Sequence, residues 1–493
     1  MRKEIILNTI ITLFLGIMIF IQNKYFIKYM GIENLGIMKV FTEILQYLNI
    51  IEMGIGSASS FALYKPLAEK NYEKISIILS TIRDIYIKIA LFLFLLGILV
   101  TPTLPFFIEI EKFDKVIYLY WILYLLNTVS TYFYIKYVIL FTANQEFILV
   151  RYIQSFSKIF YQILQVFSVI IFKSFLLYIV LLIFDNLTQY VFLKRHYNKN
   201  YFYIYKTKEK YLGLSKDIKN LFWHKLAGLI VFNTDLILIS KFVSIEVVGI
   251  YASYQVILQF ILGLIGIIIN VLRPRIGKFI SQHFKEEVYN LFKVSNILFL
   301  SISFLISYCT YILINNFVII WLGEEYILSK LTVNLIVINL FVKIFRIIVE
   351  TFKETSGFFD DIQSPILESI INFIFSVILG MKYGLDGIII GTVISNITII
   401  LIYKPILVFK RCFDKDIKEY IKIYGNYLIL LIISLFCLNI ATKPFIREDI
   451  NSWLDWIVYA TTISIITGVT LFMVFLLNRE FRNIIKIYVL KRK

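Results

Sequence analysis

The stretch Ile89-Ala-Leu-Phe-Leu-Phe-Leu-Leu-Gly-Ile-Leu-Val100 is apolar on every side. Similar runs recur from Ile5 to Leu477, and the 493-residue chain is 59% hydrophobic with a mean hydropathy of +0.80. A soluble core of this size cannot hide so much apolar surface, so the expected solvent is lipid. A β-barrel strand would alternate in polarity, whereas a helix satisfies its own backbone groups in lipid. We therefore predict an all-α polytopic membrane protein.

About fourteen segments have the ~20 apolar residues that cross a hydrocarbon core of ~30 Å. We place these spans at about 5–23, 36–62, 85–107, 117–141, 147–171, 175–194, 222–243, 248–272, 291–314, 331–350, 366–383, 387–408, 424–441 and 456–477. The first span follows a charged start, as in a signal peptide. Its apolar run is longer than that of a signal peptide and no small-residue cleavage site follows, so we keep it as helix 1.

Positive charge divides the loops into two alternating sets, and the set that includes both termini carries most of the Lys and Arg residues. Cytoplasmic loops of membrane proteins are rich in these residues, so both termini are predicted to be cytoplasmic. The net charge of +17 therefore lies largely in loops between spans. This placement favours contact with lipid head groups over binding of nucleic acid.

The chain has three cysteines and three histidines, and both sets are scattered (Cys309, Cys412 and Cys437; His196, His224 and His283). This spacing suggests neither a disulfide framework nor a zinc site. We predict no metal centre and no cofactor.

An internal repeat links two turns that follow helices starting on the same side of the membrane. The first turn reads Lys28-Tyr-Met-Gly-Ile-Glu-Asn-Leu-Gly-Ile37 and the second reads Lys241-Phe-Val-Ser-Ile-Glu-Val-Val-Gly-Ile250, with five of ten positions identical. A repeat in this orientation predicts two lobes related by an axis along the membrane normal, which is typical of transporters. The alternative is a chance match in an Ile-rich chain.

Six short motifs carry a resemblance to a known family: Gly31-Ile-Glu-Asn-Leu-Gly-Ile37, Asn49-Ile-Ile-Glu-Met-Gly-Ile-Gly56, Asp235-Leu-Ile-Leu238, Gly249-Ile-Tyr251, Trp321-Leu-Gly323 and Tyr383-Gly-Leu-Asp-Gly-Ile-Ile-Ile-Gly-Thr392. Together they resemble the bacterial repeat-unit flippases of O-antigen and capsular polysaccharide pathways. That family belongs to the superfamily of MATE multidrug exporters and the lipid II flippase. The resemblance covers nearly the whole chain, and its motifs are helix-packing and turn patterns rather than a catalytic signature.

The resemblance implies two pseudo-symmetric six-helix lobes around a central cavity, followed by two extra helices. On this chain the lobes correspond to residues 1–200 and 201–422, and the two C-terminal helices with a basic cytoplasmic tail correspond to residues 423–493. The implied substrate is an undecaprenyl-pyrophosphate-linked glycan in the bacterial cytoplasmic membrane. Glycosyltransferases and a glycan polymerase are the implied partners.

Charges deep inside membrane spans are costly and mark candidate transport residues. Lys158 and Asp185 lie about eleven and ten residues into helices 5 and 6, near ~15 Å depth, and can face one another. In one interpretation Lys158 contacts phosphate or sugar, and Asp185 controls the charge that Lys158 offers. In the alternative, Lys158 and Asp185 form a structural ion pair.

Three further cations are candidates for binding the pyrophosphate as it enters from the cytoplasm. Lys136 in helix 4 and the pair Lys343 and Arg346 in helix 10 occupy equivalent positions in the two lobes. Arg suits bidentate phosphate capture and Lys supplies a mobile charge. For Lys136 and Arg346 the alternative is snorkelling to the inner surface, and Arg346 can also pair with Glu350 one turn later. Lys88 is interpreted as a plain snorkelling residue.

Two acidic residues are the first candidates for coupling transport to an H⁺ or Na⁺ gradient. Asp235 is deep in helix 7 and has no basic residue three or four positions away. Desolvation of such a carboxylate favours binding of a proton or a cation. Glu52 in helix 2 is the second candidate. The alternative to a coupling role is that Glu52 is a hydrogen-bonded acid at a helix interface beside Gly54 and Gly56. Asp185 is the third.

We predict a flippase rather than an enzyme. A MATE-like multidrug or cation antiporter is the alternative on the same fold, but the deep Lys and Arg residues disfavour cationic substrates. A membrane glycosyltransferase or glycan polymerase is the alternative of another class. Such enzymes need a long outer loop or a soluble domain with acid, base or metal ligands, and the longest predicted outer loop is only about 315–330.

Overall fold

The computed structural model describes residues 2–52, 55–108, 114–211, 234–358, 361, 363–447, 449–450 and 452–483, although not the side chains of residues 2–8, 50 and 51. Within these ranges the chain forms helices joined by turns and short loops, and it contains no strand. The predicted all-α fold is confirmed.

The contacts divide the chain into two compact units, residues 1–256 and 257–493. The described residues of the first unit form ten helices and the start of an eleventh: α1 (Arg2–Met30), α2 (Ile32–Leu48), α3 (Ile55–Ala68), α4 (Tyr72–Val100), α5 (Leu104–Phe107), α6 (Val116–Thr131), α7 (Ile135–Ala143), α8 (Phe147–Phe167), α9 (Phe175–Asn200), α10 (Asp235–Phe242) and α11 (Ile245–Gln282). A 3-10 turn, Asn49–Glu52, follows α2, and a π-helical segment, Ser168–Phe172, follows α8. The lobe boundaries predicted from the resemblance stay a prediction.

In the second unit, the part of the chain that the structure describes contains the end of α11 and six further helices: α12 (Lys285–Trp321), α13 (Lys330–Thr355), α14 (Gln363–Ser395), α15 (Lys404–Phe413), α16 (Ile417–Thr442) and α17 (Trp453–Phe475). A π-helical segment, Asn396–Tyr403, joins α14 to α15.

Eleven helices among the described residues are long and apolar enough to cross a membrane. Three features explain the difference from the fourteen predicted spans. The predicted span 36–62 corresponds to two helices, because α2 ends at Leu48, before the 3-10 turn Asn49–Glu52, and α3 begins at Ile55. The span 222–243 lies mostly outside the described residues. The predicted spans 366–383 and 387–408 form one helical stretch, Gln363–Phe413, in which the chain reverses direction at Gly384.

The reversal inside α14 explains one of the motifs. Gly384 has φ 58° and ψ −132°, a conformation that glycine adopts without the steric cost of a Cβ. After the turn, a Cβ on Gly387 would lie 2.0 Å from the carbonyl oxygen of Leu379. The glycines therefore allow a tight hairpin in which the two arms pack backbone to backbone.

Polar residues at the starts of four long helices show how the local sequence fixes the helix ends. Each side chain accepts a hydrogen bond from the backbone N–H three residues later, and the four are Asn71, Ser174, Ser329 and Ser452 at α4, α9, α13 and α17. Such caps satisfy donors that the first helical turn leaves unpaired.

Large apolar side chains cover the outside of the long helices. On α16 the exposed residues include Leu428, Ile429, Ile432, Leu435 and Phe436. Contiguous apolar surface of this kind is unfavourable in water and suits contact with lipid tails. The protein is therefore a multi-pass membrane protein.

The two copies of the repeat pack against each other within the first unit. A Cβ on Gly36 would lie 2.1 Å from the carbonyl oxygen of Ile245, and a Cβ on Gly249 would lie 2.3 Å from that of Ile32. Each copy thus places its glycine against the isoleucine of the other copy. The repeated glycine is therefore explained by a reciprocal close approach of α2 and α11.

Candidate functional site

Helix α8 carries a continuous polar stripe. The stripe consists of Arg151, Ser155, Lys158, Gln162 and Gln165, which follow one another at spacings of four, three, four and three residues. At 3.6 residues per turn this spacing places all five side chains on one face. Four of these residues were not singled out from the sequence, although the spacing was visible there.

The opposite face of α8 is apolar and exposed, with Phe156, Phe160, Ile163 and Phe167. These four positions form the surface that suits lipid. The polar stripe therefore faces away from lipid, and the exposure of Arg151 and Lys158 on that stripe indicates access to water or a ligand.

Lys158 is exposed and forms no ion pair with any carboxylate in the described part of the chain. It lies eleven residues after Phe147, or ~16 Å along the helix. Arg151 lies seven residues closer to the start of α8. It donates a hydrogen bond from Nη2 to the hydroxyl of Thr12 in α1 at 2.7 Å. The stripe therefore presents two cations on the same face.

An amide network continues the stripe deeper into the span. Gln22 of α1 donates from Nε2 to Gln165 Oε1 at 2.7 Å and to the hydroxyl of Tyr178 at 2.8 Å. Gln162 donates to Gln22 Oε1 at 3.3 Å. These side chains are buried, and their hydrogen bonds join α1, α8 and α9.

Asp185 does not pair with Lys158, contrary to the expectation that the two face one another. The Asp185 carboxylate instead accepts hydrogen bonds from the Ser157 hydroxyl at 2.5 Å and from Gln189 Nε2 at 3.0 Å. Neighbouring residues on a helix point about 100° apart, so contact with Ser157 directs Lys158 elsewhere. The spacing along the sequence could not show whether Ser157 or Lys158 faces Asp185.

Lys136 is half-buried in α7, with its Nζ 4.7 Å from the ring centroid of Tyr137. The charges that act on it electrostatically are those of Arg83, Lys194 and Lys206, which are all positive. No carboxylate among the described residues forms an ion pair with it. Its predicted role in substrate binding stays a prediction.

Arg346 lies in a network of two cations and two carboxylates in the second unit. Its guanidinium donates to Glu350 at 2.6 Å and to Glu368 at 3.2 Å. The ammonium of Lys404 donates to the same two carboxylates at 3.3 Å each. Arg346 therefore forms the local pair with Glu350 that was the alternative to substrate binding. Lys343, one turn earlier, is half-buried.

Glu368 and Lys404 were missed in the sequence analysis. Both are buried, on different helices, and far from Arg346 in sequence. The available signal was that each is an isolated charge in an apolar span, which generally requires a partner of opposite sign.

Asp235 begins α10 and interacts electrostatically with Glu43 of α2. Glu43 is buried, and its Oε2 atom has no hydrogen-bond partner among the described residues. Lys39, one turn before Glu43, acts on the same carboxylate, and both carboxylates act on Tyr47. The structure thus groups the predicted coupling residue with a second carboxylate.

Glu52 lies beside the hydroxyls of Tyr132 and Tyr86. Tyr132 also donates to Asn49 Oδ1 at 3.1 Å, and a Cβ on Gly56 would lie 3.7 Å from the Tyr86 hydroxyl. Glu52 therefore lies in a tyrosine-lined contact between helices, which was the alternative to a coupling role.

A polar cluster outside the spans fixes the loop before α8. Burial raises the pKa of Glu146, but hydrogen bonds from Tyr201, Asn144 and His196 outweigh it and hold the pKa below its ordinary value. His196 Nε2 lies 2.8 Å from Glu146 Oε2. These contacts tie the start of α8 to the end of α9.

Among the residues that the structure describes, no group of three or more His, Cys, Asp or Glu side chains is arranged to hold a metal ion. The clustered charges are instead mixed, as in the network around Arg346, or positive, as around Lys136.

The sequence model of the polysaccharide biosynthesis protein family matches residues 1–280, more than half of the chain. The chain belongs to this family. The resemblance carried by the motifs is thereby confirmed. No curated protein sequence matches the chain.

Solved structures of transporters share the fold. The lipid II flippase MurJ in an inward closed conformation matches with a TM-score of 0.70 at 17% identity, covering 97% of this chain and 100% of that one. The MATE multidrug transporter DinF-BH matches with a TM-score of 0.58 at 14% identity, covering 84% and 97%. The Vibrio cholerae MATE transporter VcmN matches with a TM-score of 0.51 at 16% identity, covering 80% and 93%.

Proposed function

We propose that this family member is a flippase that moves a polyprenyl-pyrophosphate-linked oligosaccharide repeat unit from the cytoplasmic to the outer leaflet of the bacterial cytoplasmic membrane. Transport proceeds by alternating access coupled to an H⁺ or Na⁺ gradient. The family match supports a role in polysaccharide biosynthesis, and the fold shared with MurJ supports a lipid-linked substrate. Both termini lie in the cytoplasm in this proposal, where glycosyltransferases supply the substrate.

The observation that carries the proposal is the polar stripe on α8. A charged side chain at the centre of a bilayer costs ~2.5–3.5 kcal/mol on insertion scales. Lys158 has no carboxylate partner among the residues that the structure describes, so water or an anionic ligand must solvate it. An exposed cation on a face that avoids lipid is what a substrate path for a pyrophosphate requires.

The chemistry of the stripe fits the two parts of the proposed substrate. Arg151 and Lys158 supply positive charge and donors for the pyrophosphate oxygens. The amides of Gln162 and Gln165 can both donate and accept, which matches the hydroxyl groups of a glycan. The same cations repel a cationic drug, which favours a flippase over a multidrug exporter.

The neighbouring carboxylates of Glu43 and Asp235 support the ion coupling. Two carboxylates that are placed close together and partly buried disfavour each other's charged form. Lys39 offsets part of the negative charge, and binding of a proton or a sodium ion lowers the remaining cost of burying it. Asp235, Glu43 and Lys39 therefore form the group through which we propose that the gradient acts.

The test replaces Lys158 by Gln in cells that make the lipid-linked glycan. We expect export per molecule of protein to fall about tenfold or more, because charge-assisted hydrogen bonds are worth about 1.5–3 kcal/mol and 1.4 kcal/mol is tenfold. Lys158→Arg should retain most of the export. The matched control is Lys88→Gln, because Lys88 is also an exposed lysine within a span but shares its surface with Ile87 and Leu91. Equal export by Lys158→Gln and Lys88→Gln would contradict the proposal.

A further inference from the structure

Residues 201–211 form an extended segment, here called the strap, that lies along α4. Backbone N–H groups of the strap donate to hydroxyls of α4 in three pairs: Tyr205 to Ser76 at 3.2 Å, Thr207 to Ser80 at 3.2 Å and Tyr211 to Thr81 at 3.0 Å. An exposed segment with no secondary structure of its own is seldom fixed at so many points. The hydroxyls of α4 therefore determine the position of the strap.

Side chains fix the strap at both ends. The Tyr203 ring packs on Tyr72 with centroids 4.3 Å apart, and the ammonium of Lys210 pairs with Asp84. Asp84 also pairs with Arg83 at 2.6 Å, so its one negative charge is shared between two cations. The strap thus adds positive charge to a part of α4 that is already basic.

The ammonium of Lys136 lies over the ring of Tyr137 and that of Lys194 lies over the ring of Tyr190, and the two rings are 6.2 Å apart. Tyr137 also packs on Tyr197, which stacks on Tyr201 at the start of the strap that carries Lys206.

The charge of Lys206 acts on Lys136. Lys194 of α9 and Arg83 of α4 act on Lys136 as well, and all of these charges are positive. Lys136, Lys194 and Lys206 form no ion pair with any described carboxylate. Lys136 is also half-buried, so water screens this repulsion less than it would at an open surface. Within the described part of the chain, these three lysines therefore have no paired counter-charge.

We propose that Lys136, Lys194 and Lys206 form a binding site for the phosphate or pyrophosphate group of a membrane lipid. An anion placed among the three ammonium groups replaces their mutual repulsion by charge-assisted hydrogen bonds. Lys136 comes from α7, Lys194 from α9 and Lys206 from the strap, so three separate elements converge on the ligand. The site lies in the first unit, close to the basic loop that is predicted to be cytoplasmic.

The first expected ligand is a lipid carrier with a pyrophosphate group, and this expectation rests on the proposed function. A lipid carrier that reaches the protein from the cytoplasmic leaflet presents its pyrophosphate at the membrane surface, at the depth of such a site. An anionic phospholipid presents a single phosphate there and is the second source of the same chemistry. The two sources can be distinguished by the lipid that surrounds the protein.

The experiment measures binding of farnesyl pyrophosphate to the full-length protein in phosphatidylcholine nanodiscs. We expect Lys136→Gln and Lys206→Gln each to weaken binding about threefold to tenfold, and the double variant more than either. Lys206→Arg keeps the charge and should bind within about twofold of wild type. Lys206 is exposed on the strap, so its replacement leaves the helical core intact even if Lys136→Gln folds poorly.

The matched control is the double variant Lys199→Gln and Lys208→Gln, which removes two other exposed lysines from α9 and the strap. All variants are also measured in a Lys158→Gln background, which separates this site from the stripe of α8. Loss of binding in that background, with no loss in the control, supports the site whether or not Lys158 proves to matter for export.

Nanodiscs of phosphatidylglycerol identify the source of the phosphate. If farnesyl pyrophosphate still binds to wild type there, the site selects the carrier; if the lipid displaces it, the site accepts phospholipid head groups. Both results support a phosphate site. Unchanged binding by the Lys136→Gln and Lys206→Gln double variant, or an equal loss in the lysine control, would overturn it.

Discussion

At the scale of single residues, the charges inside the spans fall into two classes. Arg346 and Lys404 are fully matched by Glu350 and Glu368, whereas Lys158 has no carboxylate partner among the described residues. Both classes cost desolvation energy, but only the first recovers that energy within the protein. Removing one member of the matched set therefore leaves an uncompensated charge inside the span, whereas Lys158 depends on water or a ligand for its solvation.

The matched network predicts a non-additive effect on stability. Glu368→Gln leaves Arg346 and Lys404 facing Glu350 alone and should lower the free energy of unfolding by about 3–5 kcal/mol. Adding Lys404→Gln restores one cation per carboxylate and should recover part of the loss. The midpoint of thermal unfolding in detergent measures both effects.

The control for this prediction is Glu354→Gln, because Glu354 pairs with Arg273 at 3.0 Å at a more exposed site. An exposed pair is worth about 0–1 kcal/mol, so this variant should unfold near the wild-type temperature. If Glu368→Gln is no less stable than Glu354→Gln, or if the double variant is less stable than Glu368→Gln, the network does not act as a balanced set.

At the scale of helices and turns, the repeated glycines show what close packing requires. Gly36 and Gly249 each lie against a backbone carbonyl of the other copy of the repeat, so any side chain would push α2 and α11 apart. The strap shows a second kind of contact, in which hydroxyls of α4 accept hydrogen bonds from an irregular segment. In the first unit, contacts with helix surfaces thus determine the positions of both a neighbouring helix and an irregular segment.

Gly36→Ala and Gly249→Ala are each expected to destabilise the protein by about 1–3 kcal/mol or more, because overpacking forces the backbone to move. Gly468→Ala is the control: no atom outside its own helix backbone and chain neighbours lies within 4 Å of its Cβ position, and Ala in a helix is better than Gly by about 0.5–1 kcal/mol. The thermal unfolding midpoints of the three variants measure these changes in stability. Equal stability of Gly36→Ala and Gly468→Ala would show that the close approach is relaxed in solution.

The apolar spans were largely predictable from the sequence, whereas several helix ends and the contacts between helices were not; α4, for example, begins at Tyr72, well before the predicted start of its span at 85. Apolar runs located the spans because lipid imposes a minimum length, and Asn71 and Ser174 are ordinary helix caps. The partner of Asp185 depended on whether position 157 or 158 faces α9, a rotation of one residue that composition does not encode. The pairing of Glu368 with Lys404 likewise required the packing of two helices.

At the scale of the whole molecule, the chain has the all-α fold of MurJ and the MATE transporters. Similar folds in proteins with different substrates mean that the fold alone does not determine the cargo. The distribution of charge does bear on it, because exposed cations on α8 suit an anionic lipid and repel a cationic drug. The grouped carboxylates of Asp235 and Glu43 suit a driving cation.

Flipping in proteoliposomes tests the central claim most directly. A fluorescent undecaprenyl-pyrophosphate oligosaccharide is placed in one leaflet, and its accessibility in the other leaflet is followed with and without an imposed H⁺ or Na⁺ gradient. We predict protein-dependent flipping that the gradient accelerates. Asp235→Asn should flip without responding to the gradient, because only an ion that binds one conformation more tightly can shift the equilibrium. A lipid-linked glycan that stays in its leaflet, while a cationic dye is transported, would contradict the account.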